Sequence, residues 1–173
     1  MKRSSRFLFA TITAGLVATI SSGSIARAAA GTPKVEVSIV VEREVARTDA
    51  AGKKFLERKP VEVTSPGDVL VYTLKAVNVG DGQALEARIE DPLPSGAELL
   101  LDSLEGAKTL PTASLDGGQT WQSFPAQVER KATDGSFERI EAPADSYTSL
   151  RFTLLEPLSP GESKEVRFKV RVR

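Results

Sequence analysis

Apolar and polar residues alternate with a period of two along most of the chain after residue 34, the signature of half-buried β-strands. In "KVEVSIVVE", Val35, Val37, Ile39 and Val41 share one face, with Val40 the exception on the other. In "VLVYTLKAV", Leu70, Tyr72, Leu74 and Ala76 lie on one face. Val69, Val71, Thr73, Lys75 and Val77 lie on the other, and both faces are largely apolar, as in an interior strand. "ALEARIED" alternates Leu85, Ala87 and Ile89 with Glu86, Arg88 and Glu90, and "SLRFTLLE" alternates Leu150, Phe152 and Leu154 with Arg151 and Thr153. The final run is the most regular: Val166, Phe168, Val170 and Val172 oppose Arg167, Lys169, Arg171 and Arg173.

Turn formers separate these runs: "SPGD" at 65–68, "GDG" at 80–82, "DPLPSG" at 91–96, "DGG" at 116–118 and "SPGE" at 159–162. Pro-Gly suits the central positions of a type II turn. The runs drawn here keep all ten prolines out of strand interiors, as paired strands require. No amphipathic helix is evident; "SLEGAKTL" at 103–110 has room for one helical turn. Residues 46–60 suit a charged hairpin or an exposed connection. Across 102–146, where alternation weakens, a hairpin centred on Asp116–Gly118 is expected, because a structureless loop of that length is unusual in a compact domain. Many short strands with regular turns predict an all-β sandwich.

The first 30 residues read differently. Lys2, Arg3 and Arg6 precede an apolar stretch from Phe7 to Ile20, and both Ala26-Arg27-Ala28 and Ala28-Ala29-Ala30 fit a signal-peptidase site. The apolar stretch is short for a membrane span of about 20 residues. The expectation is a signal peptide over 1–30, cleaved between Ala28 and Ala30, and one domain over 31–173. That domain would be periplasmic or secreted, with no membrane span after cleavage. Its 19 basic and 23 acidic side chains leave a net charge of −4, which offers no global field for nucleic acid. The chain has no cysteine and no histidine. Disulfides, thiol catalysis, the Ser-His-Asp triad and histidine-ligated zinc are therefore excluded.

Four pieces in order carry a family resemblance: "PGD", "YTLKAVNVG", "ARIEDPLPSG" and "LSPGESKEVRFKVRV". Residues 61–173 resemble the bacterial repeat family called Domain of Unknown Function 11. The resemblance implies an immunoglobulin-like antiparallel β-sandwich, here of about 7–9 strands. It implies a place in bacterial envelope or surface proteins and no catalytic residues. Such domains often occur in tandem; this one stands once, without a visible anchor, which favours a free periplasmic or secreted protein.

Asn78 is the only asparagine. It shares the parity of Tyr72, Leu74 and Ala76 and so points toward the core side where the chain leaves the sheet. Its amide is placed to bond backbone groups of the turning segment, and Asp91 before Pro92 is expected to do the same one strand later. The competing reading is a ligand-binding Asn78/Asp91 pair.

"SLDGGQTW", Ser114 to Trp121, matches the Asp-box pattern S-x-D-x-G-x-T-W. In it Asp116 ties a hairpin turn, Gly118 allows the tight backbone and Trp121 covers the hairpin. One box in a single domain cannot make a propeller, which needs a blade every 40–50 residues or so. Trp121 either packs on the core or serves as a recognition residue. Asp81, Asp116 and Asp134 each precede a glycine, but no EF-hand loop is present, and they read as turn residues. No cofactor or metal is called for. The row Arg167, Lys169, Arg171 and Arg173 is a candidate interaction surface for an anionic partner. Alternatively it is a solvated face that deters strand pairing, with Glu36 and Glu42 as partners if the end strands are neighbours.

These observations favour a non-catalytic envelope module that binds an unidentified envelope protein or glycan. A carrier or assembly factor that adds a partner's strand at an exposed edge is the alternative. A glycan hydrolase would need two carboxyls about 5–9.5 Å apart across a cleft.

Overall fold

The computed structural model describes residues 31–173; the predicted signal peptide lies outside the described residues. Eleven strands follow in order: β1 (Val35–Thr48), β2 (Lys54–Pro60), β3 (Val69–Asn78), β4 (Arg88–Pro92), β5 (Ala97–Leu99), β6 (Thr109–Ser114), β7 (Gln122–Ser123), β8 (Gln127–Lys131), β9 (Phe137–Glu141), β10 (Ser149–Leu154) and β11 (Ser163–Val172). One 3₁₀ turn spans Leu101–Ser103. All pairings between the strands are antiparallel.

The first sheet has the order β2-β1-β3-β11-β5 and the second β4-β10-β6-β7. Together they make a nine-stranded β-sandwich, and β8 with β9 forms a separate two-stranded ribbon. The core is the space between the sheets. The first sheet contributes Leu70, Leu74 and Ala76 from β3 and Val166, Phe168 and Val170 from β11. The second contributes Ile89 from β4 and Leu150, Phe152 and Leu154 from β10. These are the positions that period-two alternation places on one face of each strand. Full burial of each large side chain stabilises the fold by about 1.5–3 kcal/mol. Tyr72 stacks on Phe168 with ring centroids 5.0 Å apart.

β3 is the central strand of its sheet, flanked by β1 and β11. Its doubly apolar pattern follows from that position: Val71, on the face away from the core, is also fully buried. The end strands β1 and β11 are not neighbours, because β3 separates them. Ile39 and Val40 are both exposed, at 42% and 54%, so the middle of β1 is open on each face.

Several expectations need correction. Leu85 is 69% exposed and precedes its strand, which starts at Arg88 after Glu86 adopts a positive φ of 50°. Residues 103–110 hold no full helical turn; the 3₁₀ turn lies just before, and β6 begins at Thr109. Pro111 sits inside β6, opposite Phe152. Its carbonyl accepts from Phe124 N–H at 3.3 Å, on the side away from β10, so the missing N–H falls where the two-residue β7 has already ended. Residues 46–60 do form a hairpin, β1–β2. The middle region contains two hairpins: β6–β7, and β8–β9 beyond it.

The Pro-Gly turns close as type II geometry requires. Asp68 N–H bonds Ser65 C=O and Glu162 N–H bonds Ser159 C=O, with Gly67 and Gly161 at φ of 92° and 76°. Upstream of β1, residues 31–34 run against the 80–82 loop. Val79 N–H bonds Lys34 C=O, Asp81 N–H bonds Thr32 C=O, and Thr32 N–H donates to Asp81 Oδ1 at 2.6 Å. A Cβ at Gly80 or Gly82 would collide with the backbone of this strap.

Candidate functional site

Asn78 is fully buried at the end of β3, and its amide uses its whole hydrogen-bonding capacity. Nδ2 donates to Gly82 C=O at 2.7 Å and to Leu158 C=O at 2.8 Å. Oδ1 accepts from Lys34 N–H at 3.2 Å and Gly80 N–H at 3.0 Å. One side chain thus joins three chain segments where the β3 ladder stops.

Asp91 does not repeat this arrangement. It lies inward on β4, 6% exposed, and its Oδ2 has no hydrogen-bond partner. Burial raises its carboxyl to about 7, and its charge helps burial push the Tyr72 phenol to about 12. Asn78 pairs with β1 residue Val35 at one end of β3, whereas Tyr72, which feels Asp91, lies six residues further back along the strand. The two are therefore not assembled into one ligand site. Asp91 and its neighbour Glu90 alternate along β4, Asp91 buried and Glu90 exposed, and both residues line one shallow cleft.

The Asp-box residues form a closed turn. Asp116 Oδ1 accepts from Ser114 Oγ, Gln119 N–H and Thr120 N–H, and Oδ2 accepts from Thr120 Oγ1 at 2.6 Å. These bonds hold the Asp116 carboxyl down at about 2. Ser114 Oγ in turn accepts from Gly118 N–H at 2.8 Å, and Gly118 takes a φ of 89° that favours glycine. The Trp121 indole N–H donates to Gly118 C=O at 3.1 Å.

Trp121 does not pack into the core between the sheets. It is half-buried on the outer face of the second sheet, and the Arg151 guanidinium sits 3.7 Å from the centre of its ring. Glu90 holds Arg151 from the other side at 2.8 Å. A shallow cleft of about 220 Å³ opens beside this stack, lined by Glu90, Asp91, Pro92, Gly117, Gly118, Trp121 and Ser149. Nothing in the pattern of "SLRFTLLE" pointed to a role for Arg151 beyond its outward parity; its indole partner comes from a different hairpin.

Each member of the basic row on β11 meets an acid of the same chain. Arg167 pairs with Glu165 and lies 3.6 Å from Glu105; Lys169 reaches Glu44 at 2.8 Å; Arg171 meets Glu98 at 2.9 Å; Arg173 meets Asp145 at 2.8 Å. Glu44, rather than Glu36 or Glu42, spans across β3 to this row, and Arg58 of β2 is its second partner at 3.8 Å. Asp81 and Asp134 serve turns, accepting from Thr32 N–H and from Ser136 N–H. Among the described residues no group of three or more acidic side chains is placed to hold a metal ion. No helix among them is long and apolar enough to cross a membrane. No protein-family model, curated protein or solved structure matches the chain.

Proposed function

We propose that the chain is a non-catalytic, extracytoplasmic β-sandwich module with a structural or protein/glycan-interaction role in the bacterial cell envelope. The observation that carries this reading is the use made of the polar groups singled out in the sequence. Asn78 and Asp116 are engaged in tying bends, and the basic row is engaged by acids of its own chain. The polar chemistry builds a rigid scaffold, and the exposed strand edges and the Trp121 face are what it presents to others. The resemblance to Domain of Unknown Function 11 and the leader-like residues 1–30 support an envelope location. Fractionation by osmotic shock tests it: the protein is expected in the periplasmic or secreted fraction, with its N-terminus at Ala29 to Gly31. Full-length protein retained in the cytoplasm would overturn the reading.

A second reading, a carrier or assembly factor that takes up a partner's strand, is favoured by one feature. β2 is an edge strand of seven residues with Phe55 and Leu56 both exposed. Binding of extended peptides that is lost on blocking β2 would support it, and binding that survives the block would reject it.

A further inference from the structure

Two strand edges in this molecule complement each other. We infer that the β2 edge of one copy pairs antiparallel with the β9 edge of a second copy, building head-to-tail assemblies of this chain. This goes beyond the proposed function, since it needs neither an envelope location nor a different partner.

Both edges lie on ribbons that lack a third strand. β3 pairs with β1 only from Val35 to Glu44, so the hairpin from Val45 to Glu57 projects past it as two strands alone. β8 and β9 form their own two-stranded sheet. Isolated two-stranded ribbons are marginal in water, and each gains by extension. The two phenylalanines among the exposed large hydrophobics of the described residues sit one on each edge: Phe55 at 47% and Phe137 at 71%.

The backbone phase can be read from the turns. In an antiparallel ladder, alternate residues aim N–H and C=O at the partner and the others aim both away. Asp49 N–H bonds Lys53 C=O, so Lys54, Leu56 and Arg58 turn their backbone groups to the free side of β2. Ala132 N–H bonds Ser136 C=O and Ala142 N–H bonds Ala126 C=O, so Phe137, Arg139 and Glu141 do the same on β9. The free side of β2 ends at Pro60, which has no N–H to offer.

Joining these two rows antiparallel sets Lys54 opposite Glu141, Leu56 opposite Arg139 and Arg58 opposite Phe137. Between them Phe55 meets Ile140 and Glu57 meets Glu138. Lys54 and Glu141 have no ion-pair partner among those found in the described residues, and the new register supplies one to each. The like-charged pair is already covered: Arg47 and Lys59 hold Glu57, and Arg130 holds Glu138. Self-pairing of like edges is worse. β2 on β2 about Leu56 sets Lys54 against Arg58, and β9 on β9 about Arg139 sets arginine against arginine. The pairing is heterologous, so it closes into a ring or propagates as a filament. An edge this short supports weak association.

Sedimentation velocity on the protein as recovered from cells, from micromolar to millimolar concentration, tests this. The expected result is mass rising with concentration. Lys54→Glu and Glu141→Lys each lower the association constant about tenfold, the scale for turning a facing pair from attraction to repulsion. The double variant, or a mixture of the two single variants, restores it. Leu56→Pro removes an outward-facing N–H together with an exposed side chain, spares the bonds between β1 and β2, and abolishes association while the melting midpoint stays within the folded range. A single monomeric species at all concentrations, or a double swap that fails to restore association, overturns the proposal; either result leaves binding of a different partner open.

Discussion

At the scale of single residues, Asn78 and Asp91 show why a buried polar group is judged by its partners. Four hydrogen bonds satisfy Asn78. Asn78→Ala strands two carbonyls and two N–H groups near the end of β3, and stability is expected to fall by roughly 1–3 kcal/mol in chemical denaturation. An unchanged midpoint would show that water replaces the amide without loss. Asp91 behaves in the opposite sense. Its folded carboxyl titrates near 7, above the unfolded value of about 3.9. Between those values the folded chain binds more protons than the unfolded chain, so stability falls as pH rises through this window and levels off above it. Asp91→Asn is expected to raise stability at pH 8 by roughly 2–4 kcal/mol relative to the parent, and to leave it little changed at pH 4. Denaturation curves of both proteins at the two pH values decide it. The parity of Asn78 and its place before "GDG" were legible because they depend on local chain direction. The isolation of Asp91 was not, since it depends on what the opposite sheet fails to supply.

Strands and hairpins are more legible in the sequence than their limits. β3, β10 and β11 matched their alternation because both neighbours and the core impose the same period. The edge elements did not. β4 is shorter than its pattern, since the unusual backbone at Glu86 ends the alternation before Leu85 can join it. Pro111 lies inside β6 because tolerance of proline depends on which side of a strand its nitrogen faces, a tertiary property that alternation does not carry. The Asp-box hairpin was legible from its spacing, yet the contact between Trp121 and Arg151 joins β10 to that hairpin and has no local signal. Arg151→Ala is expected to free the indole: the single tryptophan should become more accessible to acrylamide quenching, with a stability loss of about 1 kcal/mol or less. Unaltered quenching would show that Gly118 and the turn alone seat the ring. Asp116→Ala should release the Gln119 and Thr120 amides to faster hydrogen exchange, while the β3 and β11 amides keep their protection.

For the whole molecule, a formal net charge of zero and a basic row paired with acids of its own chain argue against a role in binding polyanions. The protein is expected to pass a sulfated-polysaccharide column at physiological salt, and Arg167→Glu with Arg171→Glu should not change that. Salt-sensitive retention that disappears in the double variant would restore the row as an interaction surface. The strap at residues 31–34 bears on orientation as well as stability. It fixes the point of chain entry beside the 80–82 loop, at the same end of the sandwich as Asn78. From there β1 runs 14 residues, about 45 Å, before it turns at Asp49. Whatever grips the polypeptide upstream therefore holds the molecule by one pole and displays the lysine-tipped hairpin at the opposite pole, like a boom swung clear of its mooring.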